Sequence, residues 1–222
     1  MAIREIERHP KVPKLNDELI ELLTRLCFRP DDPLEPVDLI FVFSSTTGID
    51  ELALLIEDLL SKKISKRVFI SGGIPNFKDA IKIPKPESAL ILERIDRNKF
   101  PDVEFFTESK SKNTLENLTE ALKILDFKNY KKILFIFKRH DPRRAYLTLR
   151  KFLPNIILIQ KTFSPVYPNT DRPLDKNTWY TYDFGIGRVW GEFLRIKTYG
   201  QRGDIAYDKE TEELVNKIEN LY

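Results

Sequence analysis

A single cysteine, Cys27, in 222 residues leaves no internal disulfide framework and suits a reducing cytosol. It stands among Leu23, Leu26 and Phe28, where a buried structural thiol is expected. Histidine is almost as scarce. His9 sits in a proline-flanked arm and is given no chemical role, which leaves His140 as the only interior histidine. No Cys/His cluster supports zinc. No apolar run approaches a membrane span, and the N-terminus lacks the apolar core of a signal peptide, so the chain reads as a cytoplasmic protein with no membrane association. The sequence has no Gly-x-Gly-x-x-Gly, no Gly-x-x-x-x-Gly-Lys-Ser/Thr and no Gly-x-Ser-x-Gly, which removes the standard dinucleotide fingerprint, the P-loop and the serine-hydrolase elbow. A net charge of only +3 gives no global basic field for nucleic acid.

What is present is an alternation of strands and helices. Lys14 to Phe28 reads as an amphipathic helix, ended by Pro30, Pro33 and Pro36. Strands are predicted over 38–43, 67–71, 103–106, 133–137 and 156–159, the first apolar on both faces, which suggests a parallel sheet covered by helices. Helices are predicted after Gly48 to about 62, from Pro86-Glu87, from Asn113 with Leu115, Leu118, Ala121, Leu122 and Leu125 on one face, and from Pro142 to about Phe152. Short loops between alternating elements imply right-handed βαβ units, hence an α/β, Rossmann-like doubly wound parallel sheet of about five strands. Beyond Lys161 the alternation stops. Trp179, Tyr182, Ile186, Val189, Trp190 and Phe193 recur at helical spacing, with Gly185, Gly187 and Gly191 implying close backbone packing, and a last helix is predicted over 208–221. The expected division is 1–36 (helix and linker), 37–163 (Rossmann-like domain) and 164–222 (a smaller helical region packed on it). There is no internal repeat and no low-complexity segment.

One short stretch breaks an electrostatic rule. Asp141-Pro142 reads as the N-cap and first residue of a helix, and a helix N-terminus carries partial positive charge that favours acidic neighbours. Here Arg143 and Arg144 fill the first turn, with Lys138, Arg139 and His140 just upstream. Something anionic is expected to supply the compensating charge. In a doubly wound sheet, ligands bind beyond the carboxyl ends of the strands, where two other marked loops converge with this one. Ser44-Ser45-Thr46-Thr47-Gly48 offers hydroxyls and a helix N-terminus, and Ser71-Gly72-Gly73 lets a ligand approach the main chain. Each segment also has an ordinary alternative: capping by Ser44–Thr47, a plain turn at Gly72-Gly73, an N-cap at Asn113 with Glu116, and a solvated or carboxylate-paired face for Arg143 and Arg144.

The ordered set of segments resembles the YdcF-like family, a domain-of-unknown-function group that also holds SanA and ElyC. The matching residues are Asp38 to Gly48, Ser71-Gly72-Gly73, Glu87-Ser88-Ala89, Glu108-Ser109-Lys110-Ser111-Lys112-Asn113-Thr114-Leu115-Glu116-Asn117 and His140-Asp141-Pro142-Arg143-Arg144-Ala145. Gly191 to Arg195 and Tyr199 to Asp204 resemble the C-terminal region of YdcF. Glu-x-x-Ser-x-Asn-Thr-x-Glu-Asn is the most specific string. The resemblance implies a Rossmann-like α/β/α domain and a nucleotide-like ligand, with S-adenosylmethionine proposed for YdcF and no defined reaction. Two departures stand out: the family's glycine-rich first loop is Ser-Ser-Thr-Thr-Gly here, and Lys138-Arg139 replace small polar residues before the histidine.

The leading expectation is therefore a small anionic ligand at the C-terminal edge of the sheet. Ser44, Ser45, Gly48, Gly72 and Gly73 are expected to contact it, and Ser111, Asn113 and Asn117 to shape the pocket. His140, Arg143 and Arg144 are expected to neutralise it, with Arg139 a further ligand contact, and Arg195, Tyr199 and Gly200 to close over it. His140 is the first candidate for proton transfer and Glu108 the second. Transfer or hydrolysis at a phosphate or pyrophosphate is an alternative, although the nearby carboxylates are too few to require a metal. Nucleic-acid or partner binding through 138–150 ranks last, because the basic cluster is short and lacks interleaved aromatics.

Overall fold

The structure is a computed structural model that describes residues 5–7, 10–75, 81–168 and 170–222; His9 lies outside the described residues. The apolar run after Asp38 forms β1 (Leu39–Phe43), buried at all five positions as a parallel strand covered on both faces should be. β2 (Arg67–Ser71), β3 (Glu104–Glu108), β4 (Lys132–Lys138) and β5 (Ile157–Phe163) complete an all-parallel sheet in the order β3-β2-β1-β4-β5. The chain winds outward from β1 to β3, then returns to β4 on the other side of β1. The loops after β1 and β4 diverge at that switch point, where a Rossmann-like α/β sheet opens a crevice.

The two faces of the sheet carry separate cores. Ile40, Val42, Ile70 and Ile136 pack beneath α2 (Ile49–Ser61) and α3 (Glu87–Leu92). Phe41, Phe69 and Phe135 face α4 (Thr114–Ala121) and α5 (Pro142–Phe152), with Phe41 stacked on Phe69 at 5.5 Å between centroids. Gln160, fully buried on edge strand β5, donates to the carbonyls of Arg29 and Pro30, and its backbone N–H donates to Asp32. The proline-rich linker thereby covers an edge that would otherwise offer free backbone groups.

The N-terminal and C-terminal segments share a third core. Leu19, Leu23, Leu26 and Cys27 of α1 (Asp17–Cys27) pack against Trp190 and Phe193 of α6 (Asp183–Gln201) and Val215 of α7 (Lys209–Glu219). Trp179 Nε1 donates to Thr24 Oγ1 at 2.8 Å, fastening the turn before α6 to α1. A Cβ at Gly185 would come within 2.2 Å of the Trp179 carbonyl, so the absent side chain is what lets α6 start against that turn. The Cys27 thiol is buried, and its pKa is pushed up by that burial, in keeping with a structural thiol.

Candidate functional site

A cleft of about 450 Å³ opens at the carboxyl edge of the sheet. Ser44 and Thr46 line it from the loop after β1, Ser111 to Leu115 from the loop after β3, and Phe137, Lys138, Asp141 and Arg144 from the end of β4 and the start of α5. The wall opposite is α6 and its C-terminal turn. Arg188, Glu192, Arg195, Tyr199 and Arg202 project from it at spacings of three and four residues, one stripe of a helix.

The charge anomaly at α5 is resolved largely inside the protein. Asp141 occupies the N-cap position but makes no capping bond, contrary to expectation; its Oδ2 instead lies 3.4 Å from Arg144 Nη2. Arg144 Nε donates to Glu192 at 2.6 Å, and its Nη1 contacts Thr114 Oγ1. Burial opposes the charge on Arg144, but Glu192 and Asp141 more than offset it and raise its pKa. Arg143 turns the other way. Its Nε donates to the Leu26 carbonyl at 3.0 Å and its Nη atoms reach Glu210, so it joins α5 to α1 and α7, and it is absent from the cleft wall. Arg139 is exposed and donates to Ser164 Oγ at 2.8 Å, beyond β5. Of the three arginines expected to meet an anion, only Arg144 lines the cleft.

The cations left without a carboxylate are different ones. Among the described residues, the Lys138 ammonium makes no hydrogen bond or ion pair, and Arg188 has no ion-pair partner. Burial lowers the Lys138 pKa and the nearby Arg188 charge lowers it further, against the pull of Asp141 and Glu87. Arg188 Nε, Ser44 Oγ and Asp141 Oδ1 are buried polar atoms with no hydrogen-bond partner. Such atoms are rare in folded proteins, and all three belong to residues that line this one cleft, which points to a ligand. Arg195 is held by the Ile6 and Glu7 carbonyls at 3.1 and 2.8 Å, with Glu192 3.9 Å away, and Arg202 pairs with Glu5 and Asp204. Burial pushes Glu192 up to about 7 despite Arg144.

His140 and Glu108 lie beneath the cleft surface rather than on it. His140 is 1% exposed, and its Nε2 lies 3.2 Å from both Arg188 Nη2 and Tyr167 Oη. Burial holds its pKa down to about 3, against the pull of Asp141. Glu108 accepts from the Ser71 and Ser111 hydroxyls and from the Lys110 and Ser111 backbone N–H groups. Asn117 Nδ2 donates to the Ser71 carbonyl and hydroxyl. The conspicuous Glu108–Asn117 string is thus largely bonded to itself and to the end of β2. Asn113 caps α4, accepting from Glu116 N at 2.9 Å, and both it and Asn117 line the cleft.

The small residues of the loops serve packing. A Cβ at Gly72 would meet Ser44 Cβ at 2.4 Å, and one at Gly73 would meet the Ser109 and Ser111 carbonyls. Gly48 adopts φ +70° against Pro165, and Gly200 lies under the Tyr207 ring. The Ser45 hydroxyl is engaged with Thr47. The sequence reading passed over Arg188 and Glu192; the signal that could have found them is the spacing 188, 192, 195, 199, 202, hidden among the apolar positions of the same helix.

No family model matches this chain, and no curated protein does. Among solved structures it is similar to the E. coli tRNA N6-threonylcarbamoyladenosine dehydratase TcdA in complex with AMP, at 12% identity over 83% of this chain and 92% of that chain, with a TM-score of 0.36. That degree of likeness carries no functional argument. Among the described residues no helix is long and apolar enough to cross a membrane, and no three His, Cys, Asp or Glu side chains are grouped to hold a metal ion.

Proposed function

We propose that this protein binds a small anionic, nucleotide-like ligand in the cleft at the carboxyl edge of its sheet, as a YdcF-like protein of the cytoplasm. The observation that carries the reading is Lys138, a partly buried ammonium on the cleft wall with no carboxylate, carbonyl or hydroxyl to answer it among the described residues. A half-buried charge is only partly solvated, and an anion entering the cleft supplies the partner it lacks. Leu115, Tyr199 and Ile205 give the same cleft an apolar side for the body of the ligand. The match of the Glu108–Asn117 string and the His140–Ala145 segment supports the family reading, and the buried free cysteine suits a reducing compartment.

S-adenosylmethionine is the ligand the family reading suggests, and the residues fit only part of it. Its carboxylate suits Lys138 and Arg188, and Asp141 Oδ1 could accept one N–H. Of the acids on the cleft wall, Glu192 and the other oxygen of Asp141 are committed to Arg144, and Glu5 and Asp204 to Arg202, so at each of these four the sulfonium would compete with an arginine. A thermal-shift panel of nucleotides, sugar nucleotides and S-adenosylmethionine tests the proposal. A ligand at a hundred times its Kd adds about 2.7 kcal/mol of stability. An anion that stabilises the protein but not Lys138→Met supports the reading. A panel in which no anion shifts the wild type, or in which Lys138→Met responds equally, overturns it.

A further inference from the structure

Resting on that reading of the cleft, we infer that its inner wall is a subsite for a phosphate monoester dianion. The inference comes from which charges and donors remain once every internal pairing is made. Arg144 is answered by Glu192 and Asp141, Arg202 by Glu5 and Asp204, and Arg195 by two backbone carbonyls and Glu192. Among the described residues two half-buried cations remain, Lys138 and Arg188, with the Arg188 charge acting on Lys138; Lys112, also on the cleft wall and without an ion pair, is exposed to solvent. The acids whose charge reaches Lys138 are Asp141 and Glu87, and neither lies within ion-pair distance of it.

Two unanswered positive charges call for two negative ones. A carboxylate or a phosphodiester brings one; a phosphate monoester brings two above its second pKa of about 6. The unused donors agree with the charge. The Lys138 ammonium, Arg188 Nε–H and the Ser44 hydroxyl come from the end of β4, from α6 and from the loop after β1. Donors contributed by three separate elements suit a group with three terminal oxygens better than a carboxylate with two. Arg188 is also held in place: its Nη2 lies against His140 Nε2 at 3.2 Å and its guanidinium over the Tyr167 ring at 5.2 Å, leaving Nε–H for the ligand.

Calorimetry at pH 8 with matched probes tests this: ribose 5-phosphate against ribose, uridine 5′-monophosphate against uridine and uridine 3′,5′-cyclic monophosphate, and S-adenosylmethionine. The monoesters are expected to bind, the unphosphorylated partners not, and the cyclic diester at least about tenfold more weakly. Lys138→Met, Arg188→Met and Ser44→Ala should each weaken the monoester, while Lys138→Arg retains much of its affinity; circular dichroism on each variant checks folding. If the cyclic diester or S-adenosylmethionine binds as well as the monoesters and depends on Lys138, the dianion subsite is wrong and the anion cleft stands. If neither the monoesters nor any other anion of the wider panel binds in a Lys138-dependent way, the cleft reading fails and this inference with it.

Discussion

Arg188 Nη2 lies 3.2 Å from His140 Nε2, and because a guanidinium only donates, that nitrogen is the acceptor of a neutral imidazole. Its proton is therefore on Nδ1. The residue first marked for proton transfer is a buried support whose lone pair positions a cation on the cleft wall.

This arrangement has a pH signature. The folded protein keeps His140 neutral down to about pH 3, whereas the unfolded chain protonates it near the ordinary value of 6.5. Between those values the unfolded state binds the extra proton, so the contribution of His140 to stability is lost as pH falls from 6.5 toward 3. His140→Gln should flatten that part of a urea-midpoint profile, and the His140 ring should show no NMR titration between pH 5 and 8. An imidazole titrating near 6.5 contradicts the assignment.

Glu192 gives the opposite slope. Its pKa of about 7 exceeds the ordinary 4.5, so the folded state holds the proton between those values and this group's contribution falls as pH rises from 4.5 to 7. Glu192→Gln should remove that slope while leaving the His140 slope intact. It should also tighten ribose 5-phosphate binding at pH 8, because it takes one negative charge from the cleft. Unchanged affinity would show that Glu192 does not face the ligand.

Arg143 and Arg144 are adjacent but do different jobs. Arg143→Met should cost about 1–3 kcal/mol, since it strands the Leu26 carbonyl, and should leave the response to anionic probes intact. Arg144→Met leaves Glu192 and Asp141 buried without their cation, a loss of about 3–5 kcal/mol, and should weaken anion binding as well. Equal effects of the two variants on binding would contradict the orientation described for Arg143.

Asn117→Ala should destabilise the protein by about 0.5–1.5 kcal/mol, because the buried Ser71 carbonyl and hydroxyl then lose the amide as a donor while the carbonyl keeps the Ser44 N–H. Thermal unfolding measures it. A variant of wild-type stability that fails only in ligand binding would return Asn117 to the role of a ligand contact.

The sheet was legible in the sequence because its central strands are buried on both faces, and a run such as Ile133 to Phe137 leaves little else to read. Asn113 was legible as a cap because capping depends on neighbours three residues away, and Glu116 supplies them. The direction of Arg143 was not, because it is decided by Leu26 and Glu210, far away in the chain and near only after folding. Arg139 missed the cleft for a related reason: at the strand end, successive side chains point to opposite sides, so Lys138 and Arg139 part company. The Glu108–Asn117 string stood out as the most specific family match, and Ser111, Asn113 and Asn117 do line the cleft, but most of its polar groups are already bonded. Their partners prove to be one another and the last residue of β2, which is how a buried polar loop satisfies its own groups.

Amide chemical-shift mapping with ribose 5-phosphate tests the central claim most directly. Binding in the cleft should move the amides of Ser44 to Thr46, Ser111 to Thr114 and Lys138 to Asp141, together with the Arg188 Nε–H, and leave those of Arg25, Leu26 and Glu210 unmoved. Shifts gathered around Arg143 and Glu210, or around Arg139 and Ser164, with the cleft silent, would contradict the account.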